Sequence, residues 1–494
     1  MKKTMIIIGA GIAGLSTGCY GQMNGYSTEI FELHNLPGGL CTSWKRKGYT
    51  FDGCIHWLVG SNKNSSMYKM WEELGVVQGQ KFVNHDEFTR IVAKNGKTFI
   101  LYTNVDQLEK HMKELAPEDT PLIREWCNVI RDLSKVDFPL DIEEYSLGEK
   151  IKTIKELWPL IKNFRKYSKT SVESFAERFK NPFMREVIPQ IFGLDEFSLI
   201  PLLFTLAWMN AENAAFPIGG SLAFAHKIEK KYLELGGTIH YNSPVKKIIV
   251  KEHKAIGIGL EDGREFFADY IISAADGHKT IFEMLEGKYV DDKISGYYRD
   301  LPIFKPEIQV SIGVNRDLSN EPHSVKIPLT SPIDIGGQKY WNLGFKHYCY
   351  DASLSPQGKS VVVALLTSNY DFWSELYKTP EKYTAEKERI SSAVIESLEE
   401  LYPGISVQVE VIDVATPMTY ERYTGNWQGS MEGWLPSTKG FGIRMRKDLP
   451  GLKNFFMAGQ WVEPGGGIPT AALSGRNLMK KLCKKDHTQF IKKG

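Results

Sequence analysis

Cysteine is scarce and unarranged in this sequence. The six cysteines among 494 residues (Cys19, Cys41, Cys54, Cys127, Cys349, Cys483) form no C-x-x-C pair and lie near no histidine pair at metal-ligand spacing. A disulfide scaffold and a zinc site are thereby disfavoured, no metal is expected, and a reducing cytoplasm is the expected home. Charge of one sign is also missing. The 61 Lys and Arg against 59 Asp and Glu leave +2, so no global field gathers nucleic acid and no such partner is expected. Long apolar runs are absent: residues 199–209 form the longest stretch, contain Pro201 and fall short of the roughly 18 residues that suggest a membrane span. The opening MKKTMIIIGAG has signal-like charge, but its apolar run ends in glycines rather than in a cleavage site and reads as a first β-strand. There are no repeats, no low-complexity tracts and no Ser-His-Asp constellation.

What is present suits a folded protein of at least two domains, since 494 residues exceed what one core supports. Residues 4–8 (TMIII) are a short apolar run suited to a strand buried on both faces. Gly9, Gly11 and Gly14 then give G-x-G-x-x-G, residues 12–24 read as a helix, Gly25 stands where it stops, and residues 27–32 (STEIFE) read as a second strand ending in an acid. In such a crossover the first glycine permits the tight turn, the second lets backbone N–H groups approach a diphosphate, and the third lets helix and strand pack closely. Glu32 is placed to accept hydrogen bonds from a ribose.

NAD and FAD share that unit, so the choice rests on two further features. Pro37-Gly38-Gly39 supplies a second glycine pair for close backbone approach, with Lys45 or Arg46 adding positive charge. At the far end, residues 454–460 (NFFMAGQ) read as a buried strand, residues 463–467 as a glycine-rich turn, and residues 471–482 as a packed helix with Pro469 in its first turn. A helix N-terminus there would stabilise negative charge on the edge of a flavin ring. An NAD enzyme needs no such distant return, so FAD is expected.

MIIIGAGIAGLSTG, PGGLCTSWKRKGYTFDGCIHWL, FPIGGSLAFAHKIEKKYLELGGTIHYNSPVKKI, ADYIISAADGHKT and NFFMAGQWVEPGGGIPTAALSGR together resemble the FAD-dependent phytoene desaturase and carotenoid isomerase-like family, within the wider flavin amine oxidase and GDP-dissociation-inhibitor superfamily. The resemblance spans the chain. It implies an α/β fold, a Rossmann-type FAD-binding domain of discontinuous segments beside a mixed-sheet and helical substrate domain. It also implies that Val245 touches the adenine and that Gly459 and Gln460 lie near the ribityl and diphosphate. Many relatives carry an acid where this chain has Gln460; an amide still donates and accepts, and Glu463 is a substitute. The candidate cofactor contacts are Gly9, Ala10, Gly11, Ile12, Ala13 and Gly14 in the first turn, then Glu32, Gly38, Gly39, Leu40 and Lys45. Val245 and Ala274 follow in the middle of the chain, and Gly459, Gln460, Gly467, Ile468 and Ala471 at its end. No Cys or His occurs in the C-terminal motif, so FAD is expected to be noncovalent.

The cofactor domain is expected over 1–95, 215–290 and 440–494, a helical lid region over 96–214 and a mixed-sheet substrate domain over 291–439. Glu261-Asp262-Gly263 is a hairpin signal, and Asp276 is either a structural cap or a contact to FAD. Residues 380–402 read as a helix with Tyr383, Ile390, Val394, Leu398 and Leu401 on a core-facing stripe. Residues 151–170 carry Lys152, Lys155, Lys162, Arg165, Lys166 and Lys169 against Glu156, interleaved with Ile151, Ile154, Leu157, Trp158, Ile161 and Phe164. That pattern suits either an anionic bilayer surface, giving a cytoplasmic protein peripheral on the inner face of the membrane, or a solvated helix packed on its own domain, with Pro159 interrupting it.

With one dinucleotide signature, electrons come from the substrate, from a quinone or other carrier, or return to the product. The resemblance implies an extended apolar polyene, isoprenoid or other lipid-like substrate, and a redox enzyme that desaturates or saturates its carbon–carbon bonds. Two alternatives stand beside it: a redox-neutral isomerase or hydratase of an unsaturated lipid, and a non-catalytic prenyl-lipid escort. His56 and Trp57, following GYTFDGC, are the candidates at the flavin face, with histidine as acid or base or as a structural group bonded to backbone; Trp461 and Glu463 come second.

Overall fold

The computed structural model describes residues 2–142, 145–194, 196–438, 445–463 and 465–492, with backbone alone at 159. Two sheets carry the architecture. Their strands in chain order are β1 (Thr4–Ile8), β2 (Ser27–Phe31), β3 (Glu87–Val92), β4 (Thr98–Tyr102), β5 (Thr238–His240), β6 (Tyr270–Ser273), β7 (Glu307–Val314), β8 (Ser324–Ile335), β9 (Gln338–His347), β10 (Ser360–Thr367), β11 (Val409–Ala415) and β12 (Phe455–Met457). The first sheet is all parallel in the order β5-β2-β1-β6-β12, so segments near both ends and from the middle of the chain lie side by side. The apolar run of β1 is buried on both faces, as an inner strand of a parallel sheet requires.

Helix α1 (Ile12–Met23) joins β1 to β2 and packs between the helix Gly220–Glu234 and the last helix of the fold. Glycine is needed at those contacts. A Cβ on Gly14 would lie 1.9 Å from the carbonyl oxygen of Gly9, and one on Gly475 would lie 2.7 Å from the Thr17 nitrogen and 2.8 Å from the Ala13 oxygen. These distances are far inside van der Waals contact, so only glycine lets the backbones approach.

The second sheet is mixed, in the order β11-β7-β10-β9-β8-β3-β4. Its β3 pairs in parallel with β8, so residues 87–92 belong to this sheet and not to the cofactor unit in which the sequence reading put them. The reason is non-local: β3 and β4 form a hairpin whose alternation gives no hint of which sheet it will join. The reading's boundary at 439/440 lies outside the described residues. Helix Pro380–Leu401 packs Tyr383, Ile390, Val394, Leu398 and Leu401 against the dry face of this sheet, the stripe its spacing predicts. The hairpin at 261–263 forms, with Gly263 at φ +89°.

Helices dominate the stretch between β4 and residue 214, with their own core around Trp126, Phe175 and Leu203. Within it α2 (Leu147–Glu156) and α3 (Trp158–Tyr167) are separate elements that meet at Leu157. Pro159 has no N–H to continue one helix through. No helix among the described residues is long and apolar enough to cross a membrane. The closing helix α4 (Gly467–Lys485) carries Arg476, which is fully buried. Its Nε donates to Glu73 Oε2 at 2.9 Å, and its terminal nitrogens donate to Asp141 Oδ1 and Oδ2 at 2.7 and 2.9 Å. Lys480 and Lys492 also contact Asp141, each at 2.9 Å.

Candidate functional site

One large cavity of about 1710 Å³ lies between the two sheets and the helical region. Pockets for a single small ligand run to roughly 300–1,000 Å³, so this one has room for two bound molecules. Its walls come from both ends of the chain. Gly9, Gly11, Ile12 and Ala13 line it beside Glu32, Gly38, Gly39 and Leu40; so do Val245 and Ala274, and so do Gly459, Gln460, Gly467, Ile468 and Ala471. His56, Trp57 and Trp461 line it as well.

Two helix N-termini open into this space. The first turn of α1 has no side-chain cap and no acid, and the same is true of α4. Helix starts leave N–H groups unsatisfied and carry the positive end of the dipole, so both places suit negative charge. The Glu32 carboxylate ties the glycine turn to the end of β2: Oε2 accepts from the Ala10 N–H at 2.5 Å and Oε1 from the His34 N–H at 2.8 Å. Burial pushes the Glu32 pKa up, against those two N–H bonds. At the other end, Ser474 Oγ accepts from the Gly459 N–H at 2.9 Å and from Lys447 Nζ at 2.9 Å, bracing that turn on α4.

Several expected residues stand elsewhere. Lys45 is exposed on the hairpin Ser43–Arg46 and Tyr49–Asp52 and does not line the cavity. The strand pair carries that side chain outward, and its neighbour Arg46 donates to Asp413 at 3.0 Å. Ala10 and Gly14 are likewise behind the wall. Ala10 is buried with its N–H given to Glu32, and Gly14 is a packing position. Glu463 does not face the cavity: it pairs with Lys447 at 3.0 Å and accepts from Asn477 at 3.3 Å. Asp276 borders the cavity but acts as a cap, accepting from the Lys279 N–H at 2.8 Å and the Trp427 N–H at 2.9 Å. Burial lifts its pKa to about 6 despite these bonds.

His56 sits on the cavity wall with Nδ1 at 3.3 Å from Lys346 Nζ. Burial first, and the Lys346 charge second, lower its pKa to about 3. The imidazole is therefore neutral near pH 7, with Nδ1 accepting and the proton on Nε2. Such a ring positions a neighbour or accepts a proton weakly. Trp57 packs edge-on to Phe88 at 5.5 Å and tilted against Phe192 at 6.2 Å, forming an aromatic wall. Trp461 is buried among Tyr298, Trp427 and Trp434.

The sequence reading missed the polar groups that the mixed sheet and the loop at 432 bring to the cavity. Glu307, Gln309, Lys326, Lys346 and Glu432 all line it. Burial alone lifts Glu307 to about 7; burial, then repulsion from Glu307, lifts Glu432 to about 7. The available signal was the alternation E-x-Q-x-S of residues 307–311 within an otherwise apolar strand. Among the described residues no group of side chains could hold a metal ion.

Known proteins share this plan. The chain is 25% identical to prolycopene isomerase, chloroplastic, of Arabidopsis thaliana, covering 95% of this chain and 81% of that protein. It is 23% identical to 4,4'-diaponeurosporene oxygenase of Staphylococcus aureus over 98% of both. Among solved structures, an oxidoreductase from Methanosarcina mazei matches with a TM-score of 0.63 at 17% identity, covering 97% of this chain and 100% of that one. A putrescine oxidase double mutant matches with a TM-score of 0.62 at 13% identity, covering 98% and 99%. The family model for flavin containing amine oxidoreductases matches residues 12–478, nearly the whole length over which the glycine turns and both sheets are built, and the chain belongs to that family.

Proposed function

We propose that this protein is an FAD-dependent oxidoreductase that desaturates or saturates carbon–carbon bonds of an extended, apolar polyene, isoprenoid or similar lipid-like substrate. The observation that carries the reading is the opening of two uncapped helix N-termini, at Ile12 and Gly467, onto one cavity. The first suits a diphosphate and the second the electron-rich edge of a flavin ring. The walls fit the group: Gly11 and Gly38 present backbone without side chains, Glu32 is left with acceptor capacity for a ribose, and Gln460 offers an amide. Val245 and Ala274 are assigned to the adenine side; Gly459, Gln460, Gly467, Ile468 and Ala471 to the ring side.

Bound FAD supplies a two-electron donor and acceptor, so the protein's part is to orient and desolvate. Trp57, Phe88 and Phe192 give the substrate an apolar face to lie on. A redox-neutral isomerisation is the second reading, favoured by the match to an isomerase over 95% of the chain.

Delivery belongs to the same reading. Leu147, Ile151, Ile154 and Trp158 are exposed on α2 and α3, Trp158 by 58%, while Leu160, Ile161, Phe164 and Arg165 of α3 line the cavity. Exposed apolar side chains next along the chain to cavity-lining ones, flanked by Lys152, Lys155, Lys162 and Lys166, suit an anionic bilayer surface from which an apolar chain can be drawn.

The test is an absorption spectrum of the purified protein, then acid precipitation, then anaerobic mixing with candidate polyenes. A flavin spectrum, colour released to the supernatant and bleaching by a polyene are expected. A colourless protein that takes up no FAD overturns the reading, and colour retained on the precipitate overturns noncovalent binding.

A further inference from the structure

The mixed sheet has one face packed dry and another on which polar side chains stand beside apolar ones such as Val363 and Leu365. On the dry face Ile308, Val310, Val325, Ile327, Leu343 and Phe345 enter an apolar core. On the other face Glu307, Gln309, Ser324, Lys326, Asn342 and Lys346 line the cavity. A cavity for pure hydrocarbon would not carry this set, because desolvating a charge costs far more than burying a methylene recovers.

The lysines are the telling part. In the β8–β9 register Ser324 pairs with Lys346 and Lys326 with Gly344, so the two lysines are diagonal neighbours on one face, about 7–8 Å apart at the backbone. Lys326 Nζ donates to the Gln190 carbonyl at 2.6 Å, and Lys346 Nζ approaches His56 Nδ1 at 3.3 Å and the His56 carbonyl at 3.4 Å. An ammonium has three donors, and the bonds of these two lysines go to neutral acceptors, two backbone carbonyls and an imidazole nitrogen. Asp52, the acid that favours the charged form of Lys346, spends its oxygens on the N–H groups of Cys54, Ile55 and Ser221 and on the Ser221 hydroxyl. The other titratable groups bordering the cavity include His56, His85 and His323, the last two stacked at 3.8 Å and all three held neutral by burial, and the carboxyls of Glu307 and Glu432, which burial lifts to about 7. Burial also lowers both lysines to about 8, the direction that desolvation gives an amine.

We propose that Lys326 and Lys346 form an anion subsite, and that the substrate is an elongated unsaturated chain ending in a carboxylate. This rests on the reading of the cavity as a site for an apolar chain and specifies which end of that chain is anchored. Each ammonium can donate to one of the two oxygens of a single carboxylate, the simplest terminal anion that engages both lysines. The aromatic wall of Trp57, Phe88 and Phe192 takes the hydrocarbon.

The test is a titration of the flavin-loaded protein with geranylgeranoic acid and with its methyl ester, followed by tryptophan fluorescence, since Trp57, Trp208 and Trp341 line the cavity. The acid is expected to bind about tenfold or more tighter than the ester, the scale of charge-assisted hydrogen bonds. Lys326→Met and Lys346→Met are each expected to remove most of that preference while leaving ester affinity and flavin content in place. Lys326→Gln and Lys346→Gln repeat the measurement with polar side chains should the methionine variants lose flavin. Equal binding of acid and ester, or a preference that survives the double variant, overturns the subsite and leaves the apolar-chain reading standing. Failure of acid and ester alike to bind overturns both.

Discussion

Replacing Arg476 with methionine tests how the closing helix is fastened to the rest of the molecule. The guanidinium is fully buried and forks between Glu73, at the end of the helix Ser66–Glu73, and Asp141. Methionine keeps much of the volume and removes the charge. Breaking a buried ion pair from one side costs about 3–5 kcal/mol, most of it from the charge left behind. Here Asp141 retains Lys480 and Lys492, and Glu73 retains the Tyr20 hydroxyl at 2.5 Å, so the low end applies, about 3 kcal/mol. At about 2–4 °C per kcal/mol for mid-sized domains, the thermal midpoint of the flavin-loaded protein, followed by near-UV circular dichroism, falls by roughly 6–12 °C. The acid limb adds a second readout. Burial pushes the Asp141 carboxyl up, but hydrogen bonds from Arg476, Lys492 and Lys480 outweigh it and hold the pKa well below the usual range. A depressed folded pKa contributes stability that is present above the unfolded value near 4 and lost as pH falls through the folded one. Arg476→Met moves that pKa back toward normal and flattens the loss. A variant within about 1 kcal/mol of the parent at pH 7, with an unchanged acid limb, refutes the reasoning.

Gly475→Ala puts a methyl against the α1 backbone and, at the usual overpacking cost of about 1–3 kcal/mol, lowers the flavin-to-protein absorbance ratio; full flavin content with an unchanged melting point contradicts the close-packing account. Glu432→Gln removes a carboxyl whose folded pKa is raised to about 7, a group that costs stability as pH rises from its unfolded value near 4.5 through 7; the variant therefore gains on the parent across that window in melting scans, and a constant difference sinks the assignment. His56→Gln leaves the pH profile of turnover without a lost inflection near 6.5, because the parent imidazole is already neutral there; loss of such an inflection shows a titrating His56. Ile154→Glu with Trp158→Glu abolishes most cosedimentation with vesicles of anionic phosphatidylglycerol, and undiminished binding rejects α2 and α3 as the contact.

The parts of the site that depend on backbone were legible in the sequence. Close approach of main chain to main chain, or a positive φ, admits only glycine at Gly9, Gly14 and Gly38, so these positions could be read without the fold, and the stripe of the helix Pro380–Leu401 follows from its period. Proximity along the chain misled at Lys45: it follows the Pro37-Gly38-Gly39 turn closely, but a two-stranded hairpin points alternate side chains to opposite faces and sends it to solvent. Lys326 and Lys346 were invisible for the opposite reason. Each is an ordinary lysine in an alternating strand, and they become neighbours only through the pairing of Ser324 with Lys346, a register that no local pattern announces. The placement of β3 in the mixed sheet was missed for the same cause.

The strand order of the parallel sheet bears on how the cavity comes to exist. Only β6 stands between β1 and β12, although more than 400 residues of chain separate those two strands. The turns at Gly9 and Gly459 therefore meet only through pairings between parts of the chain far apart in sequence. Such pairings must close long loops before contacts reward them, so the wall that both turns share is expected to form late in folding.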